Sequence, residues 1–200
     1  MKRIIKTFIL LILINFSMAQ IFLLASEDSL LKIGNEDSKV TVKVFSSLTC
    51  PHCANFHKKV FYDLKKEYID LGKVKFEHHS FPLDLAALNA EKVVRCSSDV
   101  EKRFQLLSKI YESQNKWAVG SDINKINDSI KKIGLNLGLS SLKIDKCLKD
   151  EKVQEKILNE RIEAQKKYKI ESTPTIYINK KKYNGDHDYK KFKKSLEKLL

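Results

Sequence analysis

The sequence predicts an α/β fold in which a block of helices is inserted into a strand-containing domain. Three observations predict it. First, Val40-Thr41-Val42-Lys43-Val44-Phe45 alternates with the period of a strand, and an amphipathic helical pattern separates it from a second strand-like run, Val74-Lys75-Phe76-Glu77-His78. Second, the chain is helical in pattern for about eighty residues beyond Asp84. Third, strand character returns only at Thr175-Ile176-Tyr177-Ile178, near the C-terminus. The expected limits are 34–84 and 167–200 for the two parts of the strand-containing domain and 85–166 for the insertion.

The chain opens with Met1, Lys2, Arg3 and Lys6, then an apolar run over residues 7–16, then Ser17-Met18-Ala19. A charged start, an apolar centre and small residues at the exit make an export signal spanning 1–19. Apolar residues resume at Ile21, so a cut as late as Ala25 also fits. An uncleaved membrane anchor is the alternative, because residues 4–25 are long enough to span a bilayer. Residues 26–38 are polar and without periodicity, and Gly34-Asn35-Glu36-Asp37 reads as a turn into the first core strand.

After Cys53, the residues Phe56, Val60 and Leu64 share one helical face, and Gly72 closes the unit. Strand, helix and strand with a short return make a βαβ unit with parallel strands. Phe81-Pro82-Leu83-Asp84 breaks the pattern. In the helical block Val100, Phe104, Leu107 and Tyr111 form one stripe; Ile123, Ile126, Ile130 and Ile133 form another. Both are the marks of packed helices rather than of a cofactor box. Ser140 is placed to cap a short helix holding Cys147, and a lysine-studded helix follows over Glu151–Tyr168. Asn179-Lys180-Lys181 turns the late strand, Lys182-Tyr183 begins a short partner, and Tyr189, Phe192, Leu196 and Leu199 mark a closing helix.

The formal charge is +13, carried almost wholly by lysine. Arginine, the fork suited to phosphate and base edges, occurs only at positions 3, 95, 103 and 161. The lysines alternate with glutamates on helix faces, which reads as a solvated surface and not as a nucleic-acid site.

The chemistry centres on Cys50-Pro51-His52-Cys53, at a strand-to-helix junction. Unpaired N–H groups at a helix N-terminus favour a thiolate at Cys50. Pro51 suits the first turn, where its missing N–H costs nothing. His52 adds positive charge or a hydrogen bond to the reduced pair. A stabilised thiolate is a good leaving group, so the Cys50–Cys53 disulfide is expected to be oxidising. The competing readings are an inert bridge, or half of a zinc site completed from His52, His57, His78 and His79. Those histidines lack the paired spacing of a zinc finger or ribbon, and no metal or cofactor is expected. Thr173-Pro174 precedes a strand that should neighbour the Cys50 strand. A cis bond there would expose backbone to an extended substrate.

Cys50-Pro51-His52-Cys53, with Ser46-Ser47-Leu48-Thr49, Phe81-Pro82-Leu83-Asp84 and Ser172-Thr173-Pro174-Thr175, resembles the DsbA-type thiol–disulfide oxidoreductases of the thioredoxin superfamily. The resemblance runs from about Gly34 to the C-terminus. It implies a thioredoxin-like fold with an inserted α-helical domain. It implies a periplasmic dithiol oxidase acting on unfolded or reduced exported proteins, recharged by a membrane quinone-linked partner. It further implies Cys50 as nucleophile, Cys53 as resolving thiol, His52 as stabiliser of the Cys50 thiolate, and Thr173-Pro174 as a substrate-binding cis-proline loop. One departure stands out. Many such proteins carry a buried carboxylate six residues before the first cysteine, and here that residue is Val44. Glu77 or water is then the candidate acceptor for the Cys53 proton.

With the motif paired to itself, Cys96 and Cys147 are the remaining pair. They read as a structural disulfide, with two free thiols or a second redox pair as rivals. An isomerase or reductase of the same superfamily is the main functional alternative, although residues 25–40 leave no room for the dimerisation region isomerases usually carry. An anchored, non-enzymatic binding protein with a structural CxxC ranks below both.

Overall fold

A computed structural model describes residues 30–200, and 31–200 form one compact unit. The expected export signal lies outside the described residues. Five strands form one sheet: β1 (Leu31–Ile33), β2 (Val40–Ser46), β3 (Val74–Ser80), β4 (Thr175–Ile178) and β5 (Lys181–Tyr183), in the order β1-β3-β2-β4-β5. β2 and β3 are parallel, as the βαβ reading requires, and every other pairing is antiparallel. β4 lies directly beside β2, with Val44 opposite Ile176. β1 was not legible: three residues are too few to display a period.

The helical run after the motif starts as α1 (Pro51–Phe56), passes through a π-helical turn at His57–Phe61 and α2 (Tyr62–Leu64), and ends in a second π-helical turn at Lys65–Ile69. Gly72 follows in a left-handed conformation (φ 67°) that ends the helix at little steric cost. The inserted helices are α3 (Leu85–Val94), α4 (Val100–Glu112), α5 (Gln114–Trp117), α6 (Ile123–Asn136), α7 (Ser141–Leu148) and α8 (Glu151–Tyr168); α9 (Tyr189–Glu197) closes the chain.

Each long helix starts where an oxygen-bearing side chain takes up a free N–H. Asp84, Asp99, Asp122, Ser140, Asp150 and Asp188 cap α3, α4, α6, α7, α8 and α9. Ser140 was the cap expected from sequence. α1 has no such cap, since its N-cap is Cys50 and no side-chain hydrogen bond closes it; the short α2 and α5 lack one as well.

The two faces of the sheet carry different cores. Val40, Val42, Val44, Phe76, Ile176 and Ile178 join the main core with α1, α4 and α9. Phe45, on the opposite face, packs with Phe81, Ala164 and Ile170 in a second core. Burying a ring of that size stabilises the fold by roughly 2–3 kcal/mol. The predicted stripes of α4 and α6 point inward, apart from Val100, which sits in the first turn of α4 and is 43% exposed. A disulfide joins Cys96, just past α3, to Cys147 near the end of α7, across a sequence separation of 51.

Candidate functional site

Cys50 and Cys53 are free thiols at the start of α1. The central strand β2 and the Ser47-Leu48-Thr49 turn deliver Cys50 to the carboxyl end of that strand, and the turn is tied down at several points. Ser47 Oγ accepts from Leu83 N at 3.3 Å, and Thr49 Oγ1 donates to Asp84 Oδ2 at 2.7 Å. Gln114 Nε2 donates to the carbonyls of Leu48 (2.8 Å) and Cys50 (3.1 Å). Phe81-Pro82-Leu83-Asp84, distant in sequence, is therefore part of the scaffold under the motif.

Cys50 is 8% exposed and Cys53 only 1%, so both are buried and Cys50 is the more accessible of the two. The Cys50 thiol is lowered to about 5. The hydrogen bond from the Cys53 thiol does most of this, against the opposing effect of burial. Thr173 and the backbone N–H groups of Cys53 and His52 add to it. Cys50 thus stands at the N-cap position that an aspartate or serine holds at the longer helices; its side chain makes no cap hydrogen bond, and the helix end favours its charge. Cys53 is pushed well above the ordinary thiol range, by burial first and then by Cys50.

The Thr173–Pro174 peptide is cis and stands against the motif; Cys50 Sγ donates to the Thr173 carbonyl at 3.3 Å. β4 begins at the next residue and pairs with β2, which explains how residues 123 apart meet. The His52 ring is exposed, and what the structure shows of its contact with Cys50 is its backbone N–H.

The other histidines do not gather round Cys50. His57 is buried against Ser108, at 2.9 Å. His78 pairs with Glu91 on the main-core face of the sheet, whereas His79 pairs with Glu77 and stacks on Phe45 on the other. Sequence reading missed Gln114 and His187. The His187 ring meets Phe56 edge-on at 5.6 Å. Burial, then the charge of His52, lowers its pKa. Neither residue lies in a motif, so nothing short of the fold announces them.

A redox-type CxxC at a helix N-terminus, facing a cis-proline loop on the adjacent strand of a mixed sheet, defines the thioredoxin-fold class of thiol–disulfide proteins. The thioredoxin family model matches residues 26–198, and the chain belongs to that family. It is similar to the crystal structure of Wolbachia pipientis alpha-DsbA1, with a TM-score of 0.78, 28% identity, and coverage of 85% of this chain and 90% of that one. It is also similar to disulfide bond formation protein D of Bacillus subtilis, 29% identical over 185 residues, covering 84% of this chain and 76% of that protein. A Rickettsia bellii relative, whose name proposes a protein-disulfide oxidoreductase, is 33% identical over 147 residues. That alignment takes in 74% of this chain and 56% of the relative, so the chain spans little more than half the length of this group of curated relatives.

Proposed function

We propose that this protein is a dithiol oxidase that transfers its Cys50–Cys53 disulfide to reduced, exported proteins. The observation that carries the reading is the contrast between the sulfurs: a reachable Cys50 lowered to about 5 beside a buried Cys53 raised well above the ordinary range. The names of the relatives in Bacillus subtilis and Wolbachia pipientis support it.

A substrate thiolate attacks the Cys50 sulfur of the disulfide. The Cys50–Cys53 bond breaks, a Cys50–substrate bond forms, and Cys53 leaves and takes up a proton. A second substrate thiolate then attacks the substrate sulfur of the mixed disulfide, and Cys50 departs as its stabilised thiolate. The substrate loses two electrons and the cysteine pair gains them. Thr173 and Pro174 hold the substrate backbone in extended form beside Cys50 by strand addition. His52 assists the Cys50 charge, and the Cys96–Cys147 disulfide is structural. The segment 1–19 supports export to the periplasm, where a membrane quinone-linked partner reoxidises the pair; no described helix is long and apolar enough to cross a membrane.

The test is the reduction potential of Cys50–Cys53 measured against glutathione, with oxidation of a reduced unfolded protein and reshuffling of a mispaired one followed in parallel. Oxidation dominates, and Cys50→Ser abolishes it. A potential near thioredoxin's, about −270 mV, would overturn the oxidase direction.

A further inference from the structure

Re-forming the Cys50–Cys53 disulfide strips a proton from Cys53, and opening it returns one. Cys53 is 1% exposed, so that proton crosses a dry interior. Val44 offers no acceptor beneath the motif. Glu77 does not replace it. It lies on the opposite face of the sheet and is bound by Lys43 at 2.8 Å, His79 at 2.9 Å and Lys75 at 3.6 Å. Burial would raise its pKa, but the hydrogen bonds from His79 and Lys43 hold it down to about 2.

Its neighbour His78 lies on the correct face. The parallel register sets His78 directly beside Val44, on the face that carries Cys53. His78 Nε2 is 2.7 Å from Glu91 Oε1, and the two side chains are 3% and 1% exposed. A buried ion pair of purely structural use satisfies its lone pairs. Here neither Glu91 Oε2 nor the buried Tyr111 hydroxyl has a close hydrogen-bond partner among the described residues, although the Ser80 and Ser46 hydroxyls lie near enough to lower the respective pKa values.

Tyr111 is fixed between this pair and the motif. One turn before it, Ser108 bonds His57, which lies one turn beyond Cys53. One turn after it, Gln114 bonds the Cys50 carbonyl. The Tyr111 and His57 rings are 4.9 Å apart. Burial pushes the Tyr111 hydroxyl well above its ordinary range; the charges of Cys53 and Glu91 add to this and the nearby Ser46 hydroxyl opposes it. A cavity of about 380 Å³ lined in part by Ala54, His57 and Tyr111 opens beside this group, while the Tyr111 hydroxyl itself is buried.

We propose that His78, with Glu91 as its counter-ion and Tyr111 as the link, stores the proton exchanged by Cys53. As the Cys53 sulfur attacks Cys50 in a mixed disulfide, the Cys53–Cys50 bond forms and the Cys50–partner bond breaks. The partner leaves as thiolate, and the Cys53 proton ends on the imidazole. On reduction it returns to the departing Cys53 sulfur. The electrons stay with the sulfurs throughout. A buried imidazole holds a proton only where a carboxylate offsets the charge. His57 has no carboxylate, and burial, then His78, lowers it to about 3. Burial acts to raise Glu91, but the charge and hydrogen bond of His78, the charge of Arg95 and the nearby Ser80 hydroxyl together hold it below its ordinary range.

The groups facing the pair are Cys53 and His57 from the motif helix, Tyr111 from α4, and Arg95 past the end of α3 with its partner Glu160 on α8. β1 and β2 contribute Leu31 and Val44, which do not titrate. Arg95 is engaged at both guanidinium nitrogens by Glu160, which offsets its charge.

The inference rests on the exchange chemistry proposed for Cys50. Its test is the release of glutathione from a Cys50–glutathione mixed disulfide, timed from pH 5 to 10 in the wild type, Glu91→Gln and Tyr111→Phe. Glu91→Gln should slow release on the order of 10²-fold at pH 7 and recover as hydroxide takes over the proton transfer. Tyr111→Phe should show a smaller loss of the same shape, with alkylation of Cys50 unchanged. Equal slowing at every pH, or no slowing, overturns the proposal. Should Glu91→Gln not fold, the imidazole resonances of His78 in the wild type at pH 7 decide: they must report a protonated ring in the disulfide form and a neutral one in the dithiol form, and the same ring state in both overturns the store. A wild type that releases no glutathione defeats the exchange reading itself, whereas normal release with unaltered variant profiles defeats only the store.

Discussion

Replacing Cys53 with alanine should move the titration of Cys50, because the hydrogen bond from Cys53 is the largest cause of its lowering to about 5. At pH 7 such a thiol is about 99% thiolate, against roughly 3% for an ordinary cysteine titrating near 8.5. A group whose folded pKa is depressed contributes stability that is fully present above its unfolded value and is lost as pH falls through the folded value. For reduced Cys50 that window runs from about pH 8.5 down to about 5, and at pH 7 the contribution is at most about 3 kcal/mol before solvent screening. The disulfide form has no thiolate to gain it, so the couple becomes more oxidising by up to about 60 mV. Solvent at the exposed edge of the Cys50 sulfur screens part of this, and roughly half is a working value. Between about pH 5 and the raised Cys53 value, reduction puts one proton on Cys53; where His78 supplies it the potential should be nearly flat with pH, and where solvent supplies it the potential should fall by about 30 mV per pH unit. Below pH 5 Cys50 takes up a proton as well, and the slope steepens by about a further 30 mV per pH unit. The assay is the far-ultraviolet thiolate absorbance of the reduced protein against pH. Cys53→Ala should shift the inflection upward by a unit or more, and Cys53→Ser, which keeps a donor, should shift it less. A wild-type inflection near 8.5, or one unmoved in Cys53→Ala, refutes the reasoning.

Three further outcomes are expected. Removing the Cys96–Cys147 disulfide (sequence separation 51) as Cys96→Ala/Cys147→Ala should lower unfolding stability by about 4 kcal/mol in urea without changing the Cys50 titration. Arg95 bonds Glu160 through two nitrogens and Ser80 Oγ at 2.8 Å, so Arg95→Met should cost about 3 kcal/mol, and a change below 1 in denaturant midpoint analysis would contradict it. Glu77 has a depressed folded pKa, so its stabilisation is present above the usual carboxylate range and fades as pH falls toward 2. Glu77→Gln should therefore be less stable than wild type by about 1–2 kcal/mol at pH 7, after allowance for solvent at Lys43, with the gap closing between pH 4.5 and 2 in thermal melts.

Local pattern was enough to read the strands β2, β3 and β4, the helical insertion and the redox tetrapeptide. Valine alternation, apolar stripes and the Cys-Pro-His-Cys spacing are all properties of contiguous chain. The parallel pairing of β2 and β3 also followed, since a short βαβ crossover leaves little choice. The scaffold of the site was only partly legible. Asp84 announces itself as a helix cap, but that its other oxygen receives Thr49 depends on a loop packed 35 residues away.

Glu77 and His78 show where sequence stops and tertiary structure decides. Their order in the chain says that one faces each side of the sheet, and no more. Which face carries Cys53 is set by the packing of α1 against Val42 and Val44. Whether an imidazole there has a counter-ion is set by α3, which brings in Glu91 from 13 residues away. Charge, burial and hydrogen bonding act through space, so the properties of Cys50 and Cys53 depend on Thr173, Gln114 and Tyr111 as much as on Pro51 and His52. The sequence by itself determined that this chain carries a CxxC cysteine pair at a helix start. The fold decided what surrounds those sulfurs, because only folding brings the groups that stabilise a thiolate or accept a proton within reach of them.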